Sequence, residues 1–147
     1  MIIDTSGSAL AKIVEQGNIS VIKPNTEELS ELLGRSIEND IGAIVSAARQ
    51  LCDRVRVVIV SLGGQGAVAV TKQTGFHCRI KNHHPVVHTV GCGDYLLAGF
   101  VSVLDSVDIS QKLSTGVKLA TAKAWGWTGL KPWLEVEKDI EVEVIPC

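Results

Sequence analysis

The feature that most constrains this chain is a glycine-flanked turn at residues 88–94 that runs into an amphipathic segment. Gly91 and Gly93 give the backbone access to conformations closed to other residues and let another group approach closely. From Tyr95 onward, apolar residues recur at helical spacing, which predicts that the turn opens a helix. The unpaired N–H groups and partial positive charge of a helix N-terminus bind anions. The pattern therefore predicts an anion site with Asp94 beside it.

Asp94 has two interpretations. A carboxylate next to a bound phosphate is well placed to take the proton of an attacking hydroxyl group. An aspartate in a glycine-rich loop also suits the cap of a helix, and short glycine motifs by themselves give many false matches. Spacing alone leaves both interpretations open.

The composition favours one packed α/β domain over residues 1–147. Hydrophobic residues make up 46% of the chain and aromatic residues only 4%, so small aliphatic side chains dominate. This length is enough to bury a sizeable core. The formal net charge is −2 without a Lys/Arg cluster, which argues against nucleic acid or an anionic membrane as a partner.

Membrane and secretion signals are not evident in the sequence. No apolar run reaches about 18 residues, and the N-terminus lacks a charged region followed by an apolar stretch. The cysteines are scattered and form no Cys-x-x-Cys pair, standing at Cys52, Cys78, Cys92 and Cys147. Such cysteines are typical of reduced thiols, so we expect a cytoplasmic protein.

The order of apolar runs predicts a mainly parallel sheet covered by helices. Strands are expected at residues 1–4, 19–23, 55–61, 67–71, 76–80 and 141–145. The first of them is expected to be buried, the fourth and fifth to follow hairpin turns, and the last to form an edge. Helices are expected from residue 8 to an end near residues 17–18, from 26 to a stop at Gly34, at 37–52, from about 95, and at 111–125.

Separated segments of the chain together resemble the PfkB-type (ribokinase-like) sugar kinases. Residues 91–94, Gly-Cys-Gly-Asp, resemble the second signature of that family. Residues 25–28, Asn-Thr-Glu-Glu, preceded by Lys-Pro, are similar to its Asn-x-x-Glu element, and residues 61–67, Ser-Leu-Gly-Gly-Gln-Gly-Ala, look like its nucleotide loop. Within the family, residues 4–7, 23–25 and 90–94 most resemble the 1-phosphofructokinase and tagatose-6-phosphate kinase branch.

The resemblance implies an ATP- and Mg²⁺-dependent phosphotransferase with a ribokinase-like three-layer sandwich fold. Asp94 would be the base that takes the proton of a sugar hydroxyl, and the backbone N–H groups of Gly91, Cys92, Gly93 and Asp94 would form the anion hole. Glu28, with Asn25, would hold Mg²⁺ or its waters. The implied nucleotide-binding residues are Lys23, Asn25, Ser61, Leu62, Gly63, Gly64, Gln65 and Gly66.

Several of these residues have a structural alternative. Glu28 also suits the first turn of a helix, where an acid interacts favourably with the dipole. Lys23 could neutralise a phosphate or lie in solvent at a strand end. Residues 61–66 follow the carboxyl end of a strand, the usual ligand edge of such sheets, but could form a plain hairpin turn. Cys92 could be a reactive thiol, because a helix N-terminus lowers the pKa of a thiol, but its backbone N–H is the favoured functional group.

Aromatic and histidine side chains near the turn are better explained by packing and loop structure. Three tryptophans could wall an adenine pocket, although buried packing is favoured for Trp125, Trp127 and Trp133. Three histidines without a neighbouring acid or thiol are interpreted as loop residues rather than metal ligands; they are His83, His84 and His88. Since many family members carry an acid where this chain has His88, the resemblance does not extend to a monovalent-cation site there.

The resemblance covers only one portion of the family's fold. Segments that would correspond to the family's first half, with its sugar-binding strands and lid, are not found, so residues 1–147 are expected to be the nucleotide-binding and catalytic-base half. The expected parent reaction is 6-phosphorylation of fructose 1-phosphate, as in 1-phosphofructokinase, and the resemblance allows a homodimer of the full-length parent. The alternatives are a tagatose-6-phosphate or other PfkB sugar kinase and a catalytically inactive nucleotide-binding domain. A dinucleotide-binding domain is disfavoured because no Gly-x-Gly-x-x-Gly opens a helix after the first strand.

Overall fold

A computed structural model describes residues 1–105 and 107–147 and has an α/β architecture. The strands are β1 (Ile2–Ile3), β2 (Ile19–Ile22), β3 (Val55–Ser61), β4 (Ala67–Val70), β5 (Gly75–Ile80) and β6 (Val142–Pro146). The helices are α1 (Gly7–Gln16), α2 (Thr26–Leu33), α3 (Ile41–Arg49), α4 (Cys92–Ser102), α5 (Ile109–Ala124) and α6 (Trp133–Lys138), with a short 3₁₀ turn at Gly63–Gln65. Among the described residues, each helix is too short or too polar to span a bilayer.

The strands form one mixed, mostly parallel sheet in the order β1-β2-β3-β4-β5-β6. β1 pairs with β2, and β2 with β3, in parallel, whereas β3 and β4 form an antiparallel pair in which Val58 faces Val70. The apolar run of β3 is almost entirely buried, as expected for a strand covered on both faces. These features confirm the predicted sheet, the β3–β4 hairpin and the edge position of β6.

The ends of the sheet and several helices differ from the sequence-based expectation. Ile2 is 49% exposed because β1 is an edge strand and successive side chains point to opposite faces, so the prediction of a buried first strand is wrong for this residue. α3 begins at Ile41 rather than residue 37, because the Asp40 carboxylate accepts the N–H of Ala43 at 3.0 Å and caps the helix there. The short helix α6 was not predicted.

The described residues divide into two compact units. The first contains residues Met1–Gly63, Ala67–His77 and Pro146–Cys147, and its core is formed by aliphatic side chains such as Ile22, Leu29 and Val58. The second contains Gly64–Gly66 and Cys78–Ile145, with a cluster of buried residues comprising Ala122, Trp125, Val136 and Ile140.

Within the second unit, α4 and α5 pack closely and antiparallel. Three contacts follow one another in opposite directions along the two helices: Gly91 near Lys123, Gly99 against Gly116, and Phe100 beneath the ammonium of Lys112. A Cβ atom on Gly116 would lie 2.6 Å from the carbonyl oxygen of Leu96, and one on Gly99 would lie 2.8 Å from the Cα of Gly116. The two backbones therefore touch, and any side chain at either glycine would push the helices apart.

We expect Gly116→Ala to lower the free energy of unfolding by about 1–3 kcal/mol, because the new methyl group overpacks a backbone contact. Alanine favours an isolated helix by about 1 kcal/mol over glycine, so a loss of stability would isolate the packing effect. Urea denaturation would measure it. Gly64→Ala is the control. A Cβ at this position meets nothing within 4 Å, and Gly64 does not have a positive φ angle, which would strain an alanine. Equal stability of Gly116→Ala and the unsubstituted chain would contradict this account.

Candidate active site

The N-terminus of α4 is shaped by Gly91. This residue adopts left-handed angles, φ 82° and ψ −2°, and its carbonyl oxygen accepts the N–H of Tyr95 at 3.1 Å. The helix consequently begins at Cys92, three residues earlier than the periodicity indicated, and Asp94 lies in its first turn with an exposed side chain. Among the described residues no side chain caps this helix, so its N-cap is Gly91 and not Asp94. Asp94 and the backbone N–H groups of residues 91–94 therefore belong to the same turn, and the Asp94 side chain is exposed there.

Cys92 does not have the lowered pKa that its place at a helix N-terminus suggested. Burial raises the pKa of the Cys92 thiol, and the nearby positive charge of Lys123 opposes that rise without reversing it. The thiol instead contacts the carbonyl oxygen of His88 at 3.5 Å. A reactive thiolate at Cys92 is therefore not supported, and its backbone N–H remains the group proposed for an anion site.

The loop that precedes Gly91 is hydrogen-bonded to the last turn of α5. The backbone N–H groups of Val87 and His88 both donate to the carbonyl oxygen of Ala124, at 2.7 and 3.1 Å. Earlier in the same loop, the His84 ring lies 4.7 Å from the ring of Trp125 and 4.8 Å from that of Trp127. These contacts give two of the three tryptophans a packing role, which agrees with the favoured interpretation of these residues.

Lys123 is a residue near the site that sequence reasoning did not identify. It lies in the last turn of α5, and its Cε atom is 3.9 Å from the position that a Cβ on Gly91 would occupy. Its ammonium lies 5.5 Å from the centre of the Tyr95 ring. In the sequence the only signal was a basic residue near the end of a predicted helix, which is an ordinary dipole interaction.

Asn25 and Glu28 form a capping box at the start of α2. The Asn25 side-chain oxygen accepts the N–H of Glu28 at 2.8 Å, and the Glu28 carboxylate accepts the N–H of Asn25 at 2.8 Å. The structural alternative for Glu28, an acid in the first turn of a helix, is therefore present. The same box fixes the direction of the carboxylate, which a ligand for a hard cation also requires.

Lys23 does not lie in solvent at the end of its strand. Its side chain is only 12% exposed, and its ammonium lies 3.5 Å from the carboxylate of Asp4. Immediately after it, the chain runs beside the end of β3: the Ser61 N–H donates to the Pro24 carbonyl oxygen at 3.1 Å, and Asn25 forms a parallel bridge with Ser61. Lys23, Asn25, Glu28 and Ser61 are therefore brought together at the carboxyl ends of β2 and β3.

The segment after Ser61 connects the β3–β4 hairpin and contains a 3₁₀ turn. Gly63, Gly64 and Gln65 form this turn and are exposed, with φ at Gly63 of 58°. Gly66 has φ 89°, and a Cβ there would overlap the carbonyl oxygen of Cys78. Glycine is thus required at position 66 by both its backbone angle and its contact. The predicted site residues therefore form two groups. One group lies at the carboxyl ends of β2 and β3 and in the turn that follows β3, and the other lies at the start of α4.

Comparison with known proteins gives consistent matches. The family model described as pfkB family carbohydrate kinase matches residues 1–125. Tagatose-6-phosphate kinase from Staphylococcus epidermidis is 34% identical over 148 residues, covering 96% of this chain and 47% of that protein. The chain therefore spans about half the length of the curated relatives it matches.

Solved structures match at similar coverage. Phosphofructokinase-2 from Escherichia coli in complex with substrates and products gives a TM-score of 0.83 at 28% identity, covering 93% of this chain and 45% of that one. The tetrameric inhibited form of the same enzyme gives 0.80 at 27% identity, covering 95% and 44%. These matches confirm the ribokinase-like α/β fold class expected from the sequence.

The capping box permits a substitution that separates structure from charge. Glu28→Gln keeps an oxygen that accepts the N–H of Asn25, so we expect its free energy of unfolding to stay close to that of the unsubstituted chain. Glu28→Ala removes the acceptor and should lower the free energy of unfolding by about 0.5–2 kcal/mol. Thermal or urea denaturation of the two variants measures the difference. Equal stability of the alanine and glutamine variants would show that the box contributes nothing.

Proposed function

The chain belongs to the pfkB family of carbohydrate kinases, and from this membership we propose that it supplies the nucleotide-binding and catalytic-base portion of an ATP-dependent sugar-phosphate kinase. The observation that carries the proposal is the exposed Asp94 carboxylate on the first turn of α4, beside backbone N–H groups that no side chain caps among the described residues. Such a pair of features can accept a proton and hold an anion at one place.

We place Asp94 in the role of general base. Its carboxylate takes the proton of the sugar hydroxyl as the hydroxyl oxygen bonds to the γ-phosphorus of ATP and the bond to the ADP oxygen breaks. The N–H groups of Gly91, Cys92, Gly93 and Asp94 hold the charge on the transferred phosphoryl group. Losing one preorganised donor of this kind typically costs about 3 kcal/mol of transition-state stabilisation. The left-handed Gly91 supports this role because it starts the helix without a side chain over the donors.

The other set of residues is proposed to bind the nucleotide and its metal. Lys23, Asn25 and the segment 61–66 adjoin at the carboxyl ends of parallel strands, the usual ligand edge of an α/β sheet. Glu28 uses its Oε2 in the capping box, and its Oε1 is an oxygen ligand of the kind that Mg²⁺ or its waters prefer. When bound, Mg²⁺ would neutralise charge on the phosphates.

For the substrate we propose fructose 1-phosphate, phosphorylated at its 6-hydroxyl. The second candidate is tagatose 6-phosphate, which the 34% identity to a tagatose-6-phosphate kinase favours. Assays of the complete protein with each sugar phosphate, ranked by kcat/KM, distinguish them.

The cellular setting and assembly are also proposals. The four cysteines are free thiols, which supports a cytoplasmic location. The tetrameric form of Escherichia coli phosphofructokinase-2 supports self-association of the complete protein, and we propose a homodimer as its smallest unit.

A catalytically inactive nucleotide-binding domain is the rival function. Titration calorimetry of the 147-residue chain with MgATP, together with a phosphotransfer assay of the complete protein, separates the two. We expect weak nucleotide binding and little turnover by the chain alone, and turnover by the complete protein. Nucleotide binding by both without turnover by either would favour the rival.

Asp94→Ala in the complete protein should lower kcat by about 10²–10⁴-fold, because the proton of the attacking hydroxyl loses its acceptor. The dissociation constant for MgATP should change little, since the backbone N–H groups remain. A coupled assay of ADP release and equilibrium binding measure the two quantities. A variant with normal turnover would remove Asp94 from the role of base.

Glu28→Gln should raise the Mg²⁺ concentration needed for half-maximal activity by about 10–100-fold, because an amide oxygen carries no charge for the cation. The fold should be retained, since the glutamine variant keeps the capping acceptor. Mg²⁺ titrations of activity at fixed ATP concentration provide the measurement. An unchanged Mg²⁺ requirement would leave Glu28 as a capping residue only.

A further inference from the structure

The antiparallel packing of α4 and α5 brings the C-terminal turn of α5 beside the N-terminus of α4. Because Gly99 and Gly116 touch through their backbones, this contact sets the distance between the two helices. Gly91 is eight residues before Gly99, and Lys123 is seven residues after Gly116. The antiparallel packing therefore places Gly91 next to Lys123. The position of Lys123 relative to the turn is thus set by rigid elements rather than by a flexible loop.

The side chain of Lys123 runs along the Gly91 turn. Its Cε is at ordinary contact distance, 3.9 Å, from the Cβ position of residue 91, and its ammonium sits over the Tyr95 ring, one helical turn into α4. The positive charge is also close enough to Cys92 to act on the pKa of its thiol. Lys123 therefore presents its charge to the residues that form the proposed anion hole.

Other lysines of α5 are used differently. The ammonium of Lys112 lies 3.2 Å from the carboxylate of Asp105, and that of Lys118 lies 3.9 Å from the carboxylate of Glu137. Within residues 1–105 and 107–147, no carboxylate lies within ion-pair distance of Lys123. Lys123 is half-buried and its ammonium faces an aromatic ring, so an incoming anion would not have to displace a carboxylate of the described residues.

We propose that Lys123 is a further anion-binding residue of this site, whose ammonium contacts the terminal phosphate of ATP held at the N-terminus of α4. The proposal rests on the proposed function and adds a full positive charge to the partial charges of the backbone N–H groups. A charge-assisted contact of this kind is stronger than a neutral hydrogen bond and grows in importance as water leaves the site. Lys123 would also compensate the negative end of the α5 dipole, a role that affects stability alone.

The test is an NMR titration of the ¹⁵N-labelled 147-residue chain with MgATP and, separately, with adenosine. Chemical-shift changes report weak binding and locate it at the amides of residues 91–94. We expect Lys123→Met to weaken MgATP binding about tenfold, the loss of one hydrogen bond to a charged group, and to leave adenosine binding unchanged. Methionine keeps the apolar stem over Tyr95, and Lys123→Arg, which keeps the charge, should bind MgATP nearly as well as the unsubstituted chain.

Lys118→Met is the matched control, because it removes the same charge from the same helix at a residue paired with Glu137. It should leave both affinities unchanged, which would exclude a general effect of net charge. Equal MgATP affinity in Lys123→Met and the unsubstituted chain would contradict the role of Lys123 alone. If MgATP shifts no amide of residues 91–94 in the unsubstituted chain, the proposed anion hole and the role of Lys123 both fail.

Discussion

The contact between Gly99 and Gly116 is the constraint on which the geometry of the second unit depends. With no side chains between them, α4 and α5 approach until their backbones touch. A helix fixed in this way presents its first turn in one orientation, which an anion site needs because its donors cannot adjust during the reaction. The helix end is further defined by the left-handed Gly91 and by the loop that hydrogen-bonds to Ala124. The contacts that hold α4 in place therefore also hold the turn that is proposed to bind the anion.

The start of α2 likewise combines a structural role with a proposed binding role. The Asn-x-x-Glu segment is a capping box, so its two side chains stabilise a helix whether or not a nucleotide is bound. Its place beside the end of β3 follows from the parallel bridge between Asn25 and Ser61. Two explanations that compete at the level of sequence, helix cap and ligand, are compatible in the structure, because the carboxylate has two oxygens and the box uses one.

Much of the fold was predictable because its signals are local. The unbroken apolar run of β3, the glycine turn before β4, and the acids at the start of α2 each gave the right element with small errors at the ends. The errors have local causes too. A cap at Asp40 shortened α3, and the left-handed Gly91 started α4 before the apolar periodicity began. The six residues of α6 are too few to show a helical period.

The sequence alone determined the family, the order of the strands and of the helices other than α6, and the residues proposed to form the site, because these depend on residues close together in the chain. The tertiary structure decided the rest. It buried Lys23 against Asp4, raised the pKa of the Cys92 thiol through burial, and brought Lys123 to Gly91 across 32 positions of the chain. Burial and charge proximity depend on which surfaces meet, and a one-dimensional pattern does not contain that information.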